Sequence, residues 1–339
     1  MKIFKYISVF TFVSLIATAG WAQSVTKVGT DAADFLNIPV GARSSGMGGA
    51  VTATVNDPSA MYWNPAGLAS IKNNDVMVET ADWFVDIRHS YLGLVMPLGS
   101  GVAGINVTAL TMGSIQETTY DNPEGTGRTF NPHSIAVGLS YAQYLLKNFS
   151  IGGNVKYISE TIMQASAKGI AFDIGTLYTT PFAGIRLGVS VSNVGSKMRM
   201  DGDALIVPVD LNKSANGNYV PDAKLYTDQY NLPLRLKVGL AWDAINSKMY
   251  RFTLDVDGNS PSDNVQSISV GGELAFLNNT ILLRGGLPDL GQRDRYIQYA
   301  AGVGINYNLT KSSKISVGYS LESYKYLNNV NRISLQIMF

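Results

Sequence analysis

The chain has 339 residues, with 26 Lys and Arg against 25 Asp and Glu, 34 Gly, 18 Tyr and no Cys. A net charge of +1 offers no bulk field for nucleic acid, and the lack of Cys excludes disulfides, thiolate metal centres and a Cys nucleophile. Only 15% of residues are charged, which together with the Gly and Tyr content is unusual for a soluble enzyme and ordinary for a barrel surrounded by lipid.

Lys2 and Lys5 precede an apolar run from Tyr6 to Ala19, and Gly20-Trp21-Ala22 supplies small residues where a signal peptidase reads. Residues 1–22 are expected to be a secretory signal, because the run is short for a membrane span. Residues 23–73 follow a different pattern. They hold Gly41-Ala42-Arg43-Ser44-Ser45-Gly46-Met47-Gly48-Gly49-Ala50 and Asp57-Pro58-Ser59-Ala60-Met61-Tyr62-Trp63-Asn64-Pro65-Ala66-Gly67-Leu68. Such Gly-, Pro- and Asn-rich chain turns tightly and packs closely, as a plug in a barrel lumen would. Gly46-Met47-Gly48-Gly49 lacks the Lys-Ser/Thr of a phosphate loop.

From residue 74 onward the spacing predicts fourteen strands and an all-β transmembrane antiparallel barrel over 74–339. The strands are 74–83, 89–98, 101–113, 132–145, 149–162, 169–180, 184–194, 232–243, 248–258, 265–276, 279–287, 295–308, 313–323 and 330–339. Leu236, Val238, Leu240 and Trp242 alternate with Lys237 and its neighbours, and Ile333, Leu335, Ile337 and Phe339 alternate with Arg332, Ser334 and Gln336. Alternation of this length fits tilted strands with lipid on one face and a lumen on the other. Lys156, Arg186, Arg235, Lys237, Arg251, Asp255 and Glu273 are assigned to the lumen.

The connections alternate between short, such as Gly99-Ser100, and long, such as 114–131, 195–231 and 288–294. That asymmetry separates a periplasmic from an external rim. Tyr141, Tyr144, Tyr178, Trp242 and Tyr307 fall beside short turns, and Trp83, Phe84, Tyr296 and Tyr324 near the opposite rim, as two interfacial girdles do. In loop 195–231, Leu205, Ile206, Val207, Pro208 and Val209 form an apolar run poorly suited to free solvent, a candidate docking surface for a partner.

No catalytic, cofactor-binding or metal-binding constellation is identified, and the chain is read as a non-enzyme. His89 and His133 stand apart near expected outer rims. Asp255-Val256-Asp257-Gly258-Asn259 lacks the closing Glu of a calcium loop and reads as a turn at a strand tip.

The two motifs within residues 35–70 resemble the PorV/PorQ family, a branch of the superfamily of FadL long-chain fatty acid transporters. By that resemblance Asn64-Pro65-Ala66 matches an element of an N-terminal hatch that folds into the lumen, with Gly46, Met47, Gly48 and Gly49 in the same plug. The resemblance implies a bacterial outer-membrane protein of the type IX secretion system, with a translocon or exported cargo as partner. The alternative it carries is a FadL-type passive channel for hydrophobic small molecules such as long-chain fatty acids. Outer-membrane lipid is a partner in both cases; a cofactor or nucleic acid is a partner in neither.

Overall fold

The computed structural model describes residues 28–209, 220–247, 249–293, 295–310 and 313–339. The expected signal segment, and residues 210–219 of the large loop, lie outside the described residues. Fourteen long strands form one antiparallel sheet. They are β1 (Asp75–Asp82), β2 (Arg88–Leu98), β3 (Gly101–Thr111), β4 (His133–Leu146), β5 (Phe149–Ile162), β6 (Ala165–Thr179) and β7 (Arg186–Gly195). Then follow β8 (Arg235–Asn246), β9 (Tyr250–Pro261), β10 (Ser267–Phe276), β11 (Ile281–Leu290), β12 (Ile297–Asn308), β13 (Lys314–Tyr324) and β14 (Val330–Met338). The sheet closes because β1 pairs with β14 from Asp75↔Met338 to Asp82↔Asn331, while β7 pairs with both β6 and β8. Closure gives every long strand a neighbour on both sides, a condition for spanning lipid.

The alternation decides which way each strand faces. Leu236, Val238, Leu240 and Trp242 point outward, whereas Lys237 and Ala241 are buried within. Ile333, Leu335 and Ile337 are likewise exposed and Arg332 is 1% exposed. An apolar exterior around a polar interior inverts a soluble protein and suits a bilayer. All seven charged residues assigned to the lumen lie on the inward register.

Three expectations need correction. β6 begins at Ala165, not 169, because a two-residue link with Met163 in the left-handed region (φ 52°) turns the chain at once. β8 begins at Arg235 rather than 232. Pro233 cannot donate to a ladder, and Leu232 packs into the interior. The Asp255–Asn259 run is no turn: it lies inside β9, paired with β8 and β10 throughout, and Asp255, Asp257 and Asn259 face inward.

Of the described chain preceding β1, the part from Ala32 onward lies inside the ring and threads its length. Its first described part sits at the long-loop end, where Ala32 N–H donates to Asn231 O, Ala33 N–H to Glu160 Oε2 and Arg235 Nη2 to Asn37 Oδ1. Its last part, the 3₁₀ turn Pro65–Ser70, packs on β4, β5 and β6 near the short turns. The segment therefore reaches from the long-loop end to the short-turn end. Phe35, Leu36 and Ile38 join Leu110, Ile158, Met198 and Leu232 in an apolar cluster at the long-loop mouth. Met47, Val51, Met61, Trp63 and Leu68 form a second cluster deeper in the barrel.

Candidate functional site

Inward glycines make room for the N-terminal segment. A Cβ at Gly152, Gly188 or Gly286 would collide with the backbone of Pro65, Thr52 or Met47. Polar side chains then tie the segment to the wall. Thr52 Oγ1 donates to Asp257 Oδ2 and Thr54 Oγ1 to Asp255 Oδ2, both at 2.6 Å. Glu273 accepts from Arg43 (3.2 Å), Arg251 (2.7 Å) and Arg284 (2.8 Å). Glu79 accepts from Gly41 N–H and from Arg332 Nη1, and Arg332 Nη2 reaches Glu322 at 3.4 Å. Glu273, Glu79 and Glu322 thus each have a cationic partner in the dry interior, whereas Asp255 and Asp257 are held by threonine hydroxyls.

The motif residues meet here. Gly46 packs Cα-to-backbone against Gly302, and Met47 is fully buried. Gly48 (φ 65°) and Gly49 (φ 73°) occupy the left-handed region, which lets the chain turn under β11. Asn64 Oδ1 accepts from Ala66 N–H, and Asn64 Nδ2 donates to Thr52 O (2.8 Å) and Thr176 O (3.1 Å). It therefore fastens the turn to both the segment and β6, while Pro65 opens the 3₁₀ turn at its first position. Thr52, Thr54, Arg43 and Glu79 were not singled out in the sequence. Their partners lie up to 253 positions away, so no local spacing could announce them.

Above this packed layer, at the long-loop end, lies a cavity of about 500 Å³, within the range of small-molecule sites. Its wall has two sides. Arg235 and Lys237 of β8, Asn259 of β9, Ser267 and Ser269 of β10 and Asp289 of β11 form a polar arc on four adjacent strands. Tyr296, Ile297, Tyr324, Trp83, Ile87 and Leu110 form an apolar arc across the lumen. Tyr324 stands edge-on to Trp83 and Phe84 with ring centroids 5.9 and 5.0 Å away, and those two rings are tilted against each other at 5.0 Å. Trp63 and Gly49 contribute from below, with Lys237 Nζ 4.5 Å from the Trp63 ring centroid and 3.2 Å from Gly49 O. At the rim, burial and then the carboxylates of Asp263 and Asp31 raise the pKa of Asp34.

The wall beside this cavity is not continuous. β11 and β12 pair from Ile281↔Ile305 only as far as Gly286↔Ala300. Beyond that point Leu287 and Leu290 pair with β10, and Ile297 and Tyr299 pair with β13. Pro288 has no N–H to offer across the gap, and Asp289 stands at φ 52°. The result is a seam in the barrel wall, and Pro288, Asp289, Gln292, Tyr296 and Ile297 at its edges also line the cavity.

The apolar loop run lies elsewhere. Ile206–Pro208 pairs with Asp222–Lys224 in a small external hairpin; Ile206 is exposed and Leu205, Val207 and Val209 are half-buried. The loop's Met198, by contrast, folds into the mouth cluster. His89 is fully buried and inward-facing, while His133 sits at the rim with Nδ1 3.3 Å from Asn131 O.

A family model described as an uncharacterised protein family (UPF0164) matches residues 8–176. That description does not name the PorV/PorQ branch. No curated protein matches the chain significantly. Among solved structures, the fold is similar to the Pseudomonas putida toluene transporter TodX, with a TM-score of 0.55 and 13% identity over 88% of this chain and 97% of that one. It is also similar to the CymD monoaromatic hydrocarbon channel (TM-score 0.54, 12% identity, 88% and 96% covered). A Pseudomonas aeruginosa FadL homologue gives a TM-score of 0.52 at 12% identity, with 89% and 98% covered. At such low identity these likenesses establish a FadL-like barrel fold, shared with transport channels.

Proposed function

We propose that this protein is a bacterial outer-membrane channel that takes a lipophilic small molecule into the mouth cavity and releases it sideways into the bilayer. In this reading residues 23–73 are a hatch within a barrel formed by residues 74–339. The observation that carries the proposal is the seam between β11 and β12, where the ladder stops beside the cavity and above a densely packed hatch. A solute held there has an apolar exit beside it and a closed lumen below. The structural neighbours described as toluene and hydrocarbon channels support the same class of solute.

Protein export through a type IX secretion system is the second reading. It draws support from the motif resemblance and from exposed Ile206, Leu225 and Tyr226 on and beside the external hairpin. The two readings separate on deletion of residues 203–226, which spares Met198 and the mouth cluster. The channel reading expects the shortened protein to transfer a lipophilic probe into proteoliposome bilayers at the full rate, with surface display of exported proteins unchanged in cells. Loss of display with transfer intact in neither protein would select export instead.

A further inference from the structure

The polar arc carries a chemical instruction beyond the class of solute just proposed, and it rests on that cavity being the binding site. Asn259 and Lys237 are direct cross-strand partners on adjacent strands, both facing inward and both lining the cavity. Opposed residues of this kind bring their side chains within reach of one common group. Asn259 is 8% exposed; its Nδ2 donates to Ser267 Oγ (3.4 Å) and Ser269 Oγ (3.0 Å). Those two bonds hold the amide so that Oδ1 remains a buried acceptor with no partner among the described residues. Lys237 Nζ has three protons to donate and is bonded to Gly49 O. A buried acceptor therefore stands beside a cation with donors to spare.

We infer that the cavity selects a ring compound bearing a hydroxyl group, whose O–H donates to Asn259 Oδ1 while its oxygen accepts from Lys237 Nζ. A hydroxyl is the simplest group that donates and accepts at once. A bare hydrocarbon would leave Asn259 Oδ1 and the remaining Lys237 donors desolvated without a partner, a penalty that sites built for hydrogen bonding use to reject such analogues. A carboxylate only accepts, so it would satisfy Lys237 but confront Asn259 Oδ1 and the carboxylate of Asp289 on the same arc. The rest of the ring faces Trp83, Tyr324 and Leu110 across the lumen, where flat apolar surface is matched.

The test is equilibrium dialysis of matched probes against the full-length protein in lipid nanodiscs, with empty nanodiscs subtracted. The probes are 2-naphthol, naphthalene and 2-naphthoate, which share one ring system. The hydroxyl compound should bind at least about tenfold more tightly than either of the others. Asn259→Leu and Lys237→Met should each lower 2-naphthol affinity by about tenfold and raise naphthalene affinity, because the penalty on the hydrocarbon leaves with the polar group. Heat-modifiable migration verifies that both variants are folded. Equal binding of naphthalene, tighter binding of 2-naphthoate, or variants that bind 2-naphthol like the parent protein would overturn the hydroxyl assignment and leave the cavity as the site. If none of the three probes binds, the cavity itself is not the site and the channel reading falls with it.

Discussion

Arg332→Leu is expected to destabilise the barrel by about 3–5 kcal/mol, the cost of stripping one partner from a buried ion cluster. Arg332 is 1% exposed on β14, between Glu322 on β13 and Glu79 on β1. Its guanidinium lies 2.5 Å from Glu79 and 3.4 Å from Glu322. Glu79 in turn accepts the N–H of Gly41, so the cluster joins the barrel's closing strand pair to the N-terminal segment. Removing the cation leaves two carboxylates facing each other in a dry interior. The measurement is equilibrium unfolding in urea from lipid vesicles, followed by tryptophan fluorescence. The triple variant Arg332→Leu, Glu79→Gln, Glu322→Gln should recover much of the loss, because neutral amides no longer need a cation. A loss below about 1 kcal/mol for Arg332→Leu would show that water reaches the cluster and that the interior there is not dry.

The second large effect lies on the outer face. Leu236→Arg should cost about 2–4 kcal/mol in the same unfolding assay if it sits near the bilayer midplane. Leu236 points outward while its neighbour Lys237 is 7% exposed within. Lys237→Met should cost less, about 1–2 kcal/mol, through the lost contacts with the Trp63 ring and Gly49 O. A lumen lysine in a water-filled pore would be silent. Here it rests on the packed segment. Equal losses at the two positions would contradict the assignment of faces.

The barrel was legible in the sequence because lipid imposes one rule on every strand. An outward position must be apolar, so Leu236, Val256, Val303 and Leu335 mark their strands whatever the inward neighbours are. The rule weakens near the rims. There Ala165-Ser166-Ala167-Lys168 begins β6 without large apolar residues, while Leu232-Pro233-Leu234 mimics a strand although Leu232 fills the mouth. The inward face carries no comparable rule. Asp255 and Asp257 look like turn residues in isolation, yet Thr54 and Thr52, some two hundred positions earlier, make them wall anchors. The cavity was hidden for the same reason. Its lining comes from seven strands and the N-terminal segment, and the seam depends on Pro288 and Asp289 steering β11 away from β12, a matter of pairing that composition does not record.

The central claim, sideways release, is tested most directly by closing the seam. Gly286↔Ala300 is the last β11–β12 pair, so Leu287 and Tyr299 would be the next opposed residues if the ladder continued. Both face outward, and the protein has no native Cys to interfere. Leu287→Cys with Tyr299→Cys allows a disulfide to draw the strands together there. Transfer of 2-naphthol into proteoliposome bilayers is then measured before and after reduction. The expected result is transfer at the rate of protein-free vesicles while the disulfide is closed, with full recovery on adding dithiothreitol. Undiminished transfer through a barrel whose disulfide is verified as closed would contradict the account.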